Sequence, residues 1–123
     1  MKTILLADDE AHLRRLVRMT LEDLDYALLE AADGAAALRL AREHHPDLLV
    51  LDWMMPGLSG LEVAAAVRSD PELAGLPIIL LTARSQARDL ERGRAVDAFA
   101  YLTKPFSPLE LLRQVERALG AGE

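Results

Sequence analysis

The sequence predicts an α/β fold built on a parallel sheet, and three observations predict it. Five short apolar runs, near Ile4, Tyr26, Leu48, Ile78 and Phe99, mostly lack the polar–apolar alternation of a half-exposed strand. Strands buried on both faces read this way. Between the runs, apolar positions return at helical spacing, so the pattern is a βα unit repeated five times. Four of the five runs also stop at residues that carry chemistry. In a parallel sheet those ends share the carboxyl edge, where open α/β folds bind ligands.

Taken in order, Thr3-Ile4-Leu5-Leu6-Ala7 is the first strand and runs into Asp8-Asp9. Leu13, Leu16, Val17, Leu21 and Leu24 keep helical spacing behind it, which assigns Arg14, Arg15 and Arg18 to the solvated face. The run near Tyr26 is the second strand, and Asp33-Gly34 opens the second helix. Leu48-Leu49-Val50-Leu51 leads into Asp52. Ser59-Gly60-Leu61-Glu62 then has the spacing of a capping box. Asp70-Pro71 and Gly75-Leu76-Pro77 punctuate the route to the fourth strand, Ile78-Ile79-Leu80-Leu81, which ends at Thr82. Pro77 stands at the start of that strand, where a missing N–H is tolerated. Phe99-Ala100-Tyr101-Leu102 stops just before Thr103-Lys104-Pro105. Ser107-Pro108-Leu109-Glu110 reads as a second capping box, with proline at the first helical position. Residues 1–119 form one domain on this reading, and 120–123 a tail or the start of a linker.

Composition excludes several classes of function. A chain of 123 residues suits one domain with one core. Its net charge of −6 argues against nucleic-acid binding by this domain, which needs a basic face. The absence of cysteine rules out disulfides, thiol chemistry and cysteine-based zinc sites. The first apolar run is short and meets Asp8-Asp9-Glu10 at once, unlike a signal peptide, and no stretch approaches a membrane span. The expected location is cytoplasmic.

Asp8, Asp9, Asp52, Thr82 and Lys104 therefore converge on one sheet edge. Mg²⁺ wants octahedral oxygen and takes one or two carboxylates plus phosphate oxygens. Three crowded carboxylates repel one another without a cation, so the cluster itself argues for metal. A carboxylate can also be the nucleophile toward phosphorus, giving an aspartyl phosphate. Lys104 supplies a compact positive charge and Thr82 a hydroxyl donor for phosphoryl oxygens. Lys104 is one of two lysines among the 14 basic residues, which suggests a need for an ammonium there. His12, His44 and His45 are assigned to solvated helix surface. Trp53, Met54 and Met55 either pack the loop after Asp52 or border the site.

Leu-Ala-Asp8-Asp9-Glu, Leu-Val-Leu-Asp52-Trp-Met-Met-Pro56-Gly57-Leu-Ser-Gly60, Leu-Leu-Thr82-Ala83 and Tyr101-Leu-Thr-Lys104-Pro105-Phe106 together resemble the response-regulator receiver domain. The resemblance covers the whole chain. It implies a flavodoxin-like, doubly wound five-stranded parallel sheet of order 2-1-3-4-5 with five helices. It also implies that Asp52 accepts a phosphoryl group from a histidine kinase or phosphotransfer protein. Asp9 and Asp52 match direct Mg²⁺ ligands, Asp8 a largely water-mediated one, and Met54 a backbone-carbonyl ligand, with Mn²⁺ as a substitute cation. Thr82 and Lys104 match the residues that grip the phosphoryl oxygens, Tyr101 the aromatic that turns inward on activation, and Lys104-Pro105 the bond usually found cis. Ala83, being small, lets the backbone follow Thr82. Switching is expected on the face of the fourth helix, fifth strand and fifth helix, which a downstream protein or a C-terminal output domain reads. The sequence departs from the family at Asp97-Ala98-Phe99-Ala100-Tyr101, where acidic residues often stand. That weakens the case for the symmetric dimer of the winged-helix class, and the unphosphorylated protein is expected to be monomeric.

The alternative is an enzyme, a haloacid-dehalogenase-like phosphatase, which shares the nucleophilic Asp, Mg²⁺, Thr or Ser, and Lys. Such enzymes carry the nucleophile in an Asp-x-Asp motif after the first strand and need a cap. Here the candidate nucleophile follows the third apolar run, and no residues are spare for a cap. The expectation is a signalling phospho-acceptor and not an enzyme acting on an external substrate.

Overall fold

A computed structural model describes residues 1–83 and 97–120. Strands β1 (Lys2–Ala7), β2 (Tyr26–Ala31), β3 (Leu48–Asp52), β4 (Ile78–Ala83) and β5 (Ala100–Lys104) form one parallel sheet of order β2-β1-β3-β4-β5. Among the described residues there are four helices, α1 (Ala11–Leu21), α2 (Gly34–His44), α3 (Gly60–Ser69) and α4 (Pro108–Ala118). The helix expected between β4 and β5 falls in 84–96, and most of the expected tail in 121–123, both outside the described residues. The helix counted fifth from the sequence is therefore α4 here.

The sheet has a core on each face. Leu5, Leu49, Leu51 and Leu80 pack with Ala37, Ala41, Val63 and Val67 of α2 and α3. Ile4, Leu6, Val50, Ile79 and Leu81 pack on the other face with Val17 and Leu21 of α1 and Leu111 and Val115 of α4. All five residues of β3 are buried, which accounts for its unalternating sequence. Polar strand ends are the exception to this apolar filling: Asp8, Asp52 and Thr82 are the buried polar or charged residues among those described.

Local signals set the helix starts. The Asp33 side chain accepts from Ala36 N–H at 2.8 Å. At Ser59 both halves of the capping box form, with Ser59 Oγ accepting from Glu62 N–H and Glu62 Oε1 from Ser59 N–H. Ser107 makes only half of the second box. Its Oγ accepts from Glu110 N–H, but the Glu110 carboxylate takes its bond from the Ser107 hydroxyl instead of the backbone. The first helix ends at Leu21, short of Leu24, which is exposed. Asp52, Thr82, Ala83, Thr103 and Lys104 lie within their strands and not after them, because the ladder continues past the apolar runs.

Candidate functional site

Strand register builds the site. Ala7 pairs with Leu51, so Asp8 stands level with Asp52 on the neighbouring strand. Asp52 pairs with Leu81, Leu81 with Leu102, and Ala83 with Lys104. Partners across a parallel pair share a face, and so do residues two apart along a strand. Asp8, Asp52 and Lys104 thus face the same way, on the side of α1 and α4. Thr82 belongs to the opposite face, which it shares with Leu80 and its partner Tyr101.

The side chains meet accordingly. Lys104 Nζ lies 3.2 Å from Asp8 Oδ2, 3.2 Å from Asp52 Oδ1 and 3.6 Å from Glu10 Oε1. Asp8, Asp9 and Asp52 offer carboxylate oxygens that all lie within 4.8 Å of one another, with Asp8 and Asp52 buried and Asp9 exposed. Burial pushes the Asp52 carboxyl up to about 7; the Asp8 charge adds to this, and Lys104 partly offsets it. Burial alone would lower the Lys104 ammonium, but Asp52 and then Asp8 outweigh it and hold it above the ordinary lysine value. Oxygen-only donors, one open side and carboxylate charge in excess of the single nearby ammonium fit a hard divalent cation. Thr82 Oγ1 is fully buried and has no hydrogen-bond partner among the described residues. A buried hydroxyl left unpaired is costly unless something completes it.

The loop after Asp52 is held by close backbone contact. Gly60 N–H donates to Trp53 O at 2.8 Å, and a Cβ on Gly60 would stand 2.1 Å from Asp52 O. Gly34 makes a similar approach from α2, its Cβ position being 2.4 Å from Leu58 O. Trp53 and Met55 are core residues on the α2/α3 side, whereas the Met54 side chain is 62% exposed. Tyr101 is half-buried against the same cluster. Ala83 is half-buried, and the Lys104–Pro105 peptide bond is cis.

One assignment from helical spacing is corrected. Arg14 is half-buried and not part of the wet face, whereas Arg18 is exposed, as expected. Arg14 Nη1 donates to Asp8 O at 2.7 Å, its Nε lies 3.5 Å from Glu30 Oε1, and Arg18 also pairs with Glu30. Glu30 is the sequence signal for this arrangement: a carboxylate inside the apolar run of β2, on the strand beside Asp8, needs a cation near it. Arg15 is exposed, as expected, and so are His12, His44 and His45, although His45 follows α2 as its left-handed cap at φ 46°.

Known proteins share both sequence and shape. The family described as "Response regulator receiver domain" matches residues 4–116. The phosphate regulon transcriptional regulatory protein PhoB of Pseudomonas aeruginosa is 42% identical over 99% of this chain and 55% of its own length. The transcriptional regulatory protein ResD of Bacillus subtilis is 42% identical over 94% of this chain and 47% of its own. The chain thus spans about half the length of these curated relatives. Among solved structures, a putative response regulator from Chloroflexus aurantiacus superposes with a TM-score of 0.91 at 33% identity, covering 97% of this chain and 98% of that one. The chemotaxis protein CheY4 of Vibrio cholerae gives 0.89 at 36% identity, covering 97% and 99%.

Proposed function

Because the chain belongs to the response regulator receiver domain family, we propose that it is a phospho-acceptor switch whose acceptor is Asp52. An Asp52 carboxylate oxygen attacks the phosphorus of a phosphohistidine on a histidine kinase or phosphotransfer protein. The new O–P bond forms as the P–N bond breaks, and the electron pair returns to the donor imidazole. Lys104, already 3.2 Å from Asp52, balances charge gained on the phosphoryl oxygens. Thr82 donates its buried hydroxyl to one of them. Asp8, Asp9, Asp52 and the Met54 carbonyl hold Mg²⁺ or Mn²⁺, which when bound neutralises carboxylate and phosphoryl charge. The observation that carries this reading is the pairing of buried Asp52 with half-buried Lys104 beside two further carboxylates, a site charged for an incoming anion only once a cation joins it.

The receiver unit is residues 1–119. It switches the face of β5 and the last helix, which a downstream protein or an attached C-terminal domain reads. Two relatives named as transcriptional regulatory proteins, each about twice as long as the aligned part, favour an attached domain. The described residues contain no helix long and apolar enough to cross a membrane, and the proposed location is the cytoplasm, where a kinase would supply the phosphoryl group. The unphosphorylated domain is proposed to be monomeric.

Acetyl phosphate with Mg²⁺ tests the assignment. One base-labile phosphoryl group should appear by intact-mass spectrometry, and none on Asp52→Asn. Equal phosphorylation of that variant would overturn it.

A further inference from the structure

Arg14 reaches from α1 to the backbone of the acidic cluster, and what it touches matters. The Asp8 carbonyl belongs to the planar peptide unit that joins Asp8 to Asp9. Fixing that oxygen fixes the plane, and with it the direction in which the Asp9 Cα and carboxylate leave the strand. The other handles of Asp8 are already held. Its N–H donates to Ala31 O at 3.1 Å, and its Oδ1 accepts from Glu10 N–H at 2.9 Å. Arg14 closes the third, with Nη1 2.7 Å from Asp8 O. Its own position is set by Glu30 at 3.5 Å, and both side chains are about four-fifths buried, with 20% and 22% exposed. Arg18 braces Glu30 from the next turn of α1.

We propose that Arg14, braced by Glu30, is a positioning residue that presents the Asp8–Asp9 pair to a divalent cation and so sets the affinity of the site. The proposal rests on the reading that these carboxylates hold the cation. Guanidinium geometry explains why arginine stands here. Its planar fork serves the Glu30 carboxylate with one nitrogen and the Asp8 carbonyl with another, which a single ammonium cannot do from one position.

Electrostatics and positioning give opposite signs, which makes the test decisive. Arg14→Met removes a positive charge near the site, so charge alone would tighten Mg²⁺ binding. Loss of an outer partner of a metal ligand typically weakens it by about 10–100-fold; since Arg14 acts on a backbone carbonyl, we expect the low end, about tenfold. Mg²⁺ affinity of the unphosphorylated protein is measured by calorimetry, beside Arg15→Met as the control for a lost charge on the exposed face. Phosphorylation by acetyl phosphate at saturating Mg²⁺ should stay within about twofold of wild type, because the reacting groups Asp52 and Lys104 are untouched. Arg14→Lys keeps the charge but not the fork and should weaken binding about threefold; it carries the test if Arg14→Met does not fold. An unchanged or tighter Mg²⁺ affinity in the folded Arg14 variant overturns the proposal. A wild-type protein without saturable Mg²⁺ binding would remove the reading of the site, and this proposal with it.

Discussion

At the scale of the residue, Thr82 and Asp52 each carry an energetic penalty that the apo protein tolerates. Thr82 Oγ1 is buried without a partner among the described residues. Replacing an unpaired buried hydroxyl by a methyl of similar size removes a cost of about 1–3 kcal/mol. Thr82→Val should therefore raise the melting temperature of the unphosphorylated protein by roughly 4 °C or more, while losing the donor proposed for the phosphoryl group. A lower melting temperature would show that the hydroxyl is satisfied in solution. Asp52 is penalised through its proton. Its carboxyl is raised from an ordinary 3.8 to about 7, first by burial and then by Asp8. Across that window the folded chain keeps a proton that the unfolded chain has released, so the unfolded state binds fewer protons. Stability must then fall as pH rises from about 4 to about 7. Thermal unfolding in chelator should show this decline, and Asp52→Asn should flatten it. Saturating Mg²⁺ should flatten it too, since a cation favours the charged carboxylate. A wild-type curve parallel to that of Asp52→Asn would deny the raised carboxyl.

Between elements, the start of α3 is fitted against the end of β3. A Cβ on Gly60 would meet Asp52 O at 2.1 Å, whereas one on Gly75 would meet nothing within 4 Å. Gly60→Ala must push α3 off the acceptor strand, at a cost of about 1–3 kcal/mol for overpacking, and should weaken Mg²⁺ binding as the loop carrying Met54 shifts. Gly75→Ala should stay within about 0.5 kcal/mol of wild type. Denaturant unfolding of the pair checks both; equal stabilities would mean the loop yields freely. The same comparison shows what the sequence made legible. Strand existence and the box at Ser59 could be read because buried parallel strands and capping chemistry are local patterns. The close approach of Gly60 to Asp52 could not, because it depends on where α3 lies against β3. Arg14 departs from the solvated face expected for it for a related reason. Helical spacing distributes residues around α1, but only the neighbouring β2, with Glu30 in its run, turns that flank into a half-buried one. Likewise Ser107 has the spacing of a capping box, yet its partner's carboxylate chose the hydroxyl over the backbone.

For the whole molecule, the question is whether an event at Asp52 reaches β5 and α4. Thr82 provides a short route, since it shares a sheet face with Leu80 and with Tyr101 on the adjacent strand. Just before β5, the Arg117 guanidinium of α4 sits over the exposed Phe99 ring at 5.8 Å, a contact through which a shift in β5 would reach that helix. A phosphoryl group adds about −1.5 to −2 charge and three acceptor oxygens. Thr82 moving toward one oxygen leaves room on its own face, which the half-buried Tyr101 ring can enter. Turning a two-state equilibrium from 1:99 to 99:1 takes about 5.5 kcal/mol of differential binding. Hydrogen bonds to a charged group contribute roughly 1.5–3 kcal/mol each. Thr82 and Lys104 together approach the requirement, and Lys104 alone falls short. Thr82→Val should thus still accept a phosphoryl group at Asp52 but leave the far face mostly in its resting state. NMR shifts at Tyr101, Phe99 and along Pro108–Ala118, with and without beryllofluoride and Mg²⁺, measure this directly. Wild type should move these signals together, and Thr82→Val should move them less than half as far at equal occupancy of Asp52. A full displacement in the variant would mean that the coupling runs through Lys104 and β5 without Thr82.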